Sequence, residues 1–324
     1  MLRAVSKPDT SLSEPVRAKL VAHLNAALGP QNEEEFYGGE PGDPGLIGPG
    51  SMSWEINGDL ASLLLAGTGA ILMELLHPSV MAGVYTFSNY QRDQLRRTQN
   101  TLGYVLRTTF GNTAAATRLI DQVKGIHGRI QGVRPDGVPY RALDPELIGW
   151  VHTCIPWAVM TAYDRYRRPL SLEEKNRYLR EQAVIGRMGG ADRVPETVGE
   201  LEEYVERMRP KLAVNEQTLN FIDFVRGRTE DIRVSEPERW YRWLVIHTSM
   251  SLMPEWAQRL THTAQPKSVR GVLAPTDRLR ARLLHWVVPE MPCKRMALAR
   301  VSKRVSQDAP SQGPSRSFQV SGSA

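Results

Sequence analysis

The chain is poor in cysteine, since only Cys154 and Cys293 occur among its 324 residues. Two cysteines cannot build a disulfide framework or a zinc site made of thiolates. The first residues, Met1 to Lys7, are not followed by the apolar segment that a secretory signal peptide requires. We therefore expect a protein of the reducing cytoplasm.

The chain also lacks a long apolar run. Its most apolar stretch, Leu60 to Leu76, is short for a membrane span and carries Glu74 near its end. We predict that this stretch is a buried core helix and that the chain has no transmembrane segment.

Motifs of several enzyme classes are missing. The sequence contains no Gly-x-Ser-x-Gly elbow, no His-Glu-x-x-His, no phosphate-binding loop with a lysine and no dinucleotide-binding fingerprint. It also lacks the paired Glu-x-x-His segments of a carboxylate-bridged di-iron bundle. The glycine- and proline-rich stretch over residues 38–50 matches no phosphate-binding spacing, so we expect an ordered loop there.

Most of the formal net charge of +6 lies near the C-terminus, where residues 291–324 contain six basic residues and a single acidic one, Asp308. The rest of the chain is nearly neutral, which argues against a nucleic-acid-binding surface. The segment is rich in serine, glycine and proline. We predict a disordered basic tail over residues 290–324, which improves solubility or contacts a membrane surface weakly.

The dominant pattern in the sequence is helical, and no series of strands competes with it. The spacing of apolar residues and of cap residues predicts an all-α fold, a single large helical domain over residues 40–289 preceded by an N-terminal helix and linker over residues 1–39. Ser13 caps the N-terminal helix, whose apolar stripe is Val16, Leu20, Leu24 and Leu28. Further helices are predicted at residues 57–76, 90–109, 113–130, 145–166, 214–226, 254–262 and 276–287. Capping boxes starting at Ser171, Thr197 and Ser235 predict three more helix starts, and residues 132–140 predict a turn-rich loop or small hairpin.

Two histidines lie on apolar helix stripes. His127 follows Ile120 and Val123 by one to two turns, and His152 lies among Ile148, Ile155 and Val159. A polar ring on the core side of a helix needs a partner, which is either a metal or haem iron or a buried hydrogen bond. Pro156 has no backbone N–H to donate to the His152 carbonyl, so the helix is expected to kink beside this histidine, and such a kink can make room for a flat cofactor. From this feature alone, a simple bend of the helix around a core is the better explanation.

Five segments in this order and spacing resemble one protein family: Leu76 to Val84, Arg97-Thr98, Val123 to Gly132, Tyr140 to Leu147, and Trp150 to His152. The chain resembles, over roughly residues 40–265, the oxygenase family that includes the latex-clearing protein (rubber oxygenase) and the fungal oxygenase of the mycophenolic acid pathway. The resemblance implies a helical domain built around a pocket for haem b. It also implies dioxygen chemistry on apolar, isoprenoid chains. We expect the apolar faces around Leu63–Met73 and Val151–Val159 to house such a hydrocarbon substrate.

The resemblance also implies roles for individual residues. His127 matches the proximal iron ligand, and His152 matches a second histidine that lines or supports the pocket. Arg97 and Thr98 match a basic residue and a threonine on the distal side. The family's arginine one turn before that threonine is replaced by Gln94, and the family's glutamate base has no clear match.

Two further residues are candidates for cofactor binding, His77 near the distal groups and Arg118 as a partner of a haem propionate. Structural interpretations compete with each assignment. The histidines could be satisfied core side chains, and His77 is better explained by a hydrogen bond at a helix end. Thr98 could bond back to its own helix, and Arg97 and Arg118 could be solvated surface charges.

The sequence therefore predicts a haem b-dependent oxygenase that acts with dioxygen on a small apolar or isoprenoid-like substrate. The alternative is a non-catalytic helical protein that binds haem or a lipid, or holds a partner protein.

Overall fold

We describe the protein from a computed structural model. The structure describes residues 14–22 except 16 and 20, residues 33–227 except 89 and 93, and residues 236–303. The predicted N-terminal cap Ser13 and its apolar stripe lie outside the described residues, as do Ser235 and residues 304–324 of the predicted tail.

The described chain consists of α-helices and one short hairpin, which confirms the all-α prediction. A single turn of 3₁₀-helix spans Arg209–Lys211. The elements are α1 (Glu34–Tyr37), α2 (Met52–Ile56), α3 (Leu60–Leu75), α4 (Pro78–Phe87), α5 (Gln94–Phe110), α6 (Thr113–His127), β1 (Gln131–Val133), β2 (Pro139–Arg141), α7 (Pro145–Tyr166), α8 (Leu172–Gly189), α9 (Val198–Met208), α10 (Glu216–Val225), α11 (Glu236–Ser251), α12 (Glu255–Leu260), α13 (Lys267–Val287) and α14 (Pro292–Ser302).

Helix α3 is the centre of the fold, as the apolar run predicts. It begins after Asp59, whose carboxylate accepts a hydrogen bond from the backbone N–H of Ser62 at 3.2 Å. Apolar residues cover nearly all of its faces, and it packs chiefly against α7 and α11. Gly69 allows the closest approach to α11, since a Cβ there would lie 2.4 Å from the Ser249 carbonyl oxygen.

Helix α7 spans the residues predicted for it. Asp144 caps its start by accepting from the backbone N–H of Glu146 at 2.9 Å, and the helix continues through the buried Pro156. The indole Nε1–H of Trp150 lies 3.2 Å from both the Met73 and Glu74 carbonyl oxygens. It therefore adds a side-chain donor at the end of α3, where, among the described residues, these two carbonyl oxygens otherwise accept only from the backbone N–H groups of Leu76 and His77.

Capping explains several other boundaries. Ser171 and Glu174 form the predicted capping box at the start of α8, and Thr197 accepts from the Glu200 N–H at 3.1 Å at the start of α9. The predicted hairpin is present as β1 and β2, with Gly132 opposite Tyr140. The sequence prediction missed α4 and started α13 nine residues too late.

The predicted disorder over residues 290–324 is wrong for the stretch that forms α14. Arg300 of this helix is buried and donates to the carbonyl oxygens of Tyr37 and Asp43, both at 2.8 Å, and of Phe110 at 3.1 Å. A buried guanidinium that donates to several carbonyl oxygens holds their segments together, which a guanidinium hydrated at the surface would not do. Arg300 therefore fixes α14 against α5 and against the segment that contains Tyr37 and Asp43.

No single helix within the described ranges is long and apolar enough to cross a membrane. Among the residues that the structure describes, α3 and α4 taken together pass that test by length and composition alone, and the chain bends by 109° between them.

Candidate functional site

His127 and His152 line the same cavity, which has a volume of about 290 Å³. We call it the histidine cavity. Arg97 of α5 and Glu74 of α3 line it as well, as does Lys124. The other large lining side chains are aliphatic or aromatic: Val80, Val84, Phe87, Tyr104, Ile120, Val123, Ile130, Tyr140, Leu147, Ile148 and Val151.

His152 lies near the middle of α7 and is held against α8. Its ring meets the Tyr104 ring edge-on, with 5.9 Å between centroids. Gly186 and Gly189 leave room for the imidazole, since a Cβ at Gly189 would lie 3.0 Å from His152 Nε2. Burial, and next the neighbouring His127, lower the pKa of His152 to about 4. The ring is therefore neutral at pH 7.

His127 is the last residue of α6 and is half-buried at the cavity wall. The helix starts after Asn112, whose side chain accepts from the Ala115 N–H at 2.7 Å. Burial lowers the pKa of His127, so the neutral, metal-ligating form of the imidazole predominates at pH 7. Within the part of the chain that the structure describes, neither His127 nor His152 uses a ring nitrogen in a hydrogen bond.

A second cavity, of about 250 Å³, shares Glu74 and Arg97 with the first, and among the described residues these two are its only charged lining side chains. We call it the apolar cavity. Thr98 lines this cavity and not the histidine cavity. The remaining lining residues are Leu63, Leu64, Gly67, Thr68, Ala70 and Ile71 of α3, Tyr90, Thr101, Leu102 and Val105, Ile155 and Val159 of α7, Phe221, Phe224 and Val225 of α10, and Val245 of α11.

Glu74 is a buried carboxyl group at the boundary between the two cavities. Its Oε1 atom has no hydrogen-bond partner among the described residues. Burial raises the pKa of Glu74 to about 8, and the positive charge of Arg97 opposes part of that rise. Glu74 therefore carries a proton over much of the neutral range, a state in which a carboxyl group can donate.

Arg97 supplies a positive charge at the same boundary. Its Nη1 donates to Ser88 Oγ, and its Nε is buried without a partner in the described part of the chain. Burial lowers the pKa of Arg97 and the charge of Glu74 raises it. No direct ion pair joins the two side chains, so both keep polar atoms available to a third group.

The structure does not bring His77 or Arg118 into either cavity. His77 is buried at the N-cap of α4, where its Nδ1 accepts from the Ser79 N–H at 3.2 Å, the helix-end role that competes with cofactor binding. Arg118 is exposed and lies 4.0 Å from the Glu35 carboxylate. The side chain of Gln94 lies outside the described structure.

Sequence reasoning missed Glu74 as a site residue. A single carboxyl group within the most apolar stretch of the chain was the available signal, and it served only to argue against a membrane span. The apolar faces predicted to house a hydrocarbon substrate do line the apolar cavity, through α3 and through Ile155 and Val159 of α7. Its walls from α5, α10 and α11 had no sequence signal, because they come from segments far apart in the chain.

The number of metal-binding side chains in the cavity shows whether it suits a metal ion bound by protein side chains alone or a haem. Nowhere in the described ranges do three or more histidine, cysteine, aspartate or glutamate side chains gather into a group that could hold a metal ion. Haem needs one or two protein donors, since its macrocycle supplies the others. The two neutral imidazoles of the histidine cavity fit that requirement.

The comparison with protein families agrees with this geometry. No curated protein and no protein of solved structure matches the chain. Residues 54–290, well over half of the chain, match the family described as "ER-bound oxygenase mpaB/B'/Rubber oxygenase, catalytic domain". The match includes every residue that lines either cavity. The chain belongs to this family of oxygenase catalytic domains.

Proposed function

We propose that the protein is a haem b-dependent oxygenase that acts with dioxygen on a small apolar or isoprenoid-like substrate. One observation carries this proposal. A cavity lined by two neutral imidazoles meets a second cavity, lined by hydrocarbon side chains, at a buried carboxyl group and a buried guanidinium.

His127 is the better placed of the two histidines to ligate iron. It stands half-buried at the end of α6 beside the cavity, whereas α8 packs closely against His152, since a Cβ at Gly189 would lie 3.0 Å from His152 Nε2. His152, with Gly189 close to Nε2, supports the pocket wall. Burial keeps both rings neutral, which is the form that binds iron.

Lys124 is the cation that lines the histidine cavity on the same helix as His127. Because the two propionates of haem need positive partners, we assign one to Lys124. Arg118, the partner expected from the sequence, is exposed and lies outside the cavity.

When bound, haem supplies the iron that activates dioxygen. The chain's own residues position the reaction. Arg97 holds a positive charge at the boundary of the two cavities, and Glu74 holds a proton there. The aliphatic and aromatic walls beyond them bind hydrocarbon and exclude water.

An absorbance spectrum of the purified protein, as isolated and after reduction, tests the proposal directly. We expect a Soret band and close to one haem per chain by quantification. Absence of haem, even after reconstitution, would show that His127 and His152 are core histidines only.

Oxygen consumption separates the oxygenase from a haem or lipid carrier, the alternative function. We expect consumption of dioxygen by the haem-loaded protein on addition of short isoprenoids. Stable haem binding with no consumption across an isoprenoid series would favour the carrier.

A further inference from the structure

Two glycines of α3, two positions apart, face very different surroundings. A Cβ at Gly69 would lie 2.4 Å from the Ser249 carbonyl oxygen, so close packing with α11 requires this glycine. A Cβ at Gly67 would meet no atom of another described residue within 4 Å. Packing therefore gives no reason for glycine at position 67.

Glycine is nonetheless costly at this position. Gly67 lies in the interior of α3, where glycine is less favourable than any other residue except proline. The empty space beside it is the apolar cavity, which Gly67 lines. An alanine would stabilise the helix and take volume from the cavity, so the glycine preserves space where stability alone favours a larger residue.

The shape of the cavity indicates what the space is for. Its lining residues on α3 run from Leu63 to Glu74 along one face, which at 1.5 Å per residue is about 16 Å of helix. A dry apolar cavity of about 150 Å³ accommodates benzene. In proportion, the volume of about 250 Å³ holds a molecule of about ten carbons.

We propose that the apolar cavity binds an uncharged, chain-like hydrocarbon group of about ten carbons, aligned with α3 with one end at Glu74 and Arg97, and that Gly67 sets the size limit. That this molecule is the oxygenase substrate rests on the proposed function. The binding itself does not. The two charged residues shared with the histidine cavity place the end of the chain next to the proposed reaction centre.

Alkylbenzenes from benzene to octylbenzene test this inference, with affinities measured by headspace partition over the purified protein. We expect the affinity to rise with chain length to about butylbenzene and then to fall. In Gly67→Ala the affinity for butylbenzene should weaken about fourfold, the value of one lost methylene contact, and the preferred ligand should become shorter. In Gly67→Leu it should weaken more than about a hundredfold.

Gly271→Ala is the matched control. Gly271 is also a helical glycine with nothing within 4 Å of its added Cβ, but it is exposed on α13 and lines no cavity described here. Both alanine variants should melt about 2 °C higher than the wild type, and only Gly67→Ala should lose affinity. If Gly67→Leu does not fold, the comparison of Gly67→Ala with Gly271→Ala still tests the inference.

Wild-type affinity for butylbenzene in a folded Gly67→Ala variant would overturn the assignment of Gly67, and no binding of any alkylbenzene to the wild type would overturn the whole inference. Haem content is measured in the same samples. Haem bound to a protein that binds no alkylbenzene would refute only the proposed hydrocarbon binding in the apolar cavity. Binding sensitive to Gly67 in a protein that cannot take up haem would refute the oxygenase proposal alone.

Discussion

The two cavities offer a ligand different chemistry although they share Glu74 and Arg97. The histidine cavity presents two imidazoles, an amine and tyrosine rings among its apolar residues. Beyond the shared pair, the apolar cavity presents hydrocarbon and a few hydroxyl groups. The fold thus places the side chains that can bind a metal in one cavity and most of the side chains that can bind hydrocarbon along α3 in the other.

The difference between the two cavities shows where a helical core can accommodate buried polar side chains. Helix α3 contributes aliphatic side chains along the apolar cavity and a single carboxyl group at its end. A buried charge is costly, so Glu74 remains protonated and Arg97 takes a partner in Ser88. Such costs are typical of functional sites, because a core built for stability alone would avoid them.

The largest expected difference between the two cavities is in their importance for haem binding. His127→Ala should lower haem content by at least about tenfold, because it removes the proposed axial ligand, and should leave the helix content nearly unchanged. Haem absorbance and far-ultraviolet circular dichroism measure the two quantities.

Two controls sharpen this prediction. His77→Asn keeps a helix-capping side chain at a buried histidine that lines neither cavity, and Gly67→Ala alters only the apolar cavity. Both should retain haem. Normal haem content in His127→Ala would mean that the ligand lies elsewhere.

Glu74 should make the protein less stable as the pH rises. Its pKa is about 8 in the folded protein and about 4.5 when unfolded, so the folded state binds more protons between these values. The free energy of unfolding should fall over this range by on the order of 4 kcal/mol, and Glu74→Gln should remove that fall. Denaturant titrations from pH 5 to about pH 9 measure it. Parallel pH profiles of variant and wild type would contradict the assigned pKa.

His152 should have the opposite effect at lower pH in the haem-free protein. Its pKa is about 4 when folded and about 6.5 when unfolded, so the unfolded state binds more protons between these values. Stability should rise from pH 4 to 6.5 by on the order of 3 kcal/mol. The difference in unfolding free energy between wild type and His152→Asn isolates this contribution from that of His77, whose pKa burial also lowers to about 4. A pH-independent difference would show that the ring is not buried in its neutral form.

The smallest expected change in stability concerns the hydrogen bonds from Trp150 to the backbone at the end of α3. Trp150→Phe removes the indole N–H that serves the Met73 and Glu74 carbonyl oxygens and should lower the unfolding free energy by about 1.5 kcal/mol. Trp54→Phe is the matched control, because the buried indole N–H of Trp54 has no partner among the described residues. Chemical denaturation of both variants should show a clearly smaller loss for Trp54→Phe. Equal losses would assign the effect to packing.

Local signals predicted much of the framework. The apolar run predicted α3, the Asp144-Pro145 pair predicted the start of α7, and the Ser171 capping box predicted α8, because caps and periodicity act within a few residues. The same periodicity placed His127 and His152 on inward faces, and the structure finds both at one cavity.

Other features depended on contacts between distant segments. Residues 292–302 begin the basic segment that was predicted to be disordered, yet Arg300 finds carbonyl acceptors more than 180 residues away in sequence. His77 and Arg118 fitted the sequence pattern of site residues, and the structure places them at a helix cap and on the surface.

By itself, the sequence determined that this protein is helical, which segment forms its central helix and that two histidines face inward, because these properties follow from spacing along the chain. Tertiary structure alone decided that Glu74 and Arg97 stand between two cavities and that Gly67 borders open space. A cavity is the volume that several packed helices leave unfilled, and the pKa of a buried group depends on that surrounding volume. Neither quantity exists until the helices have come together.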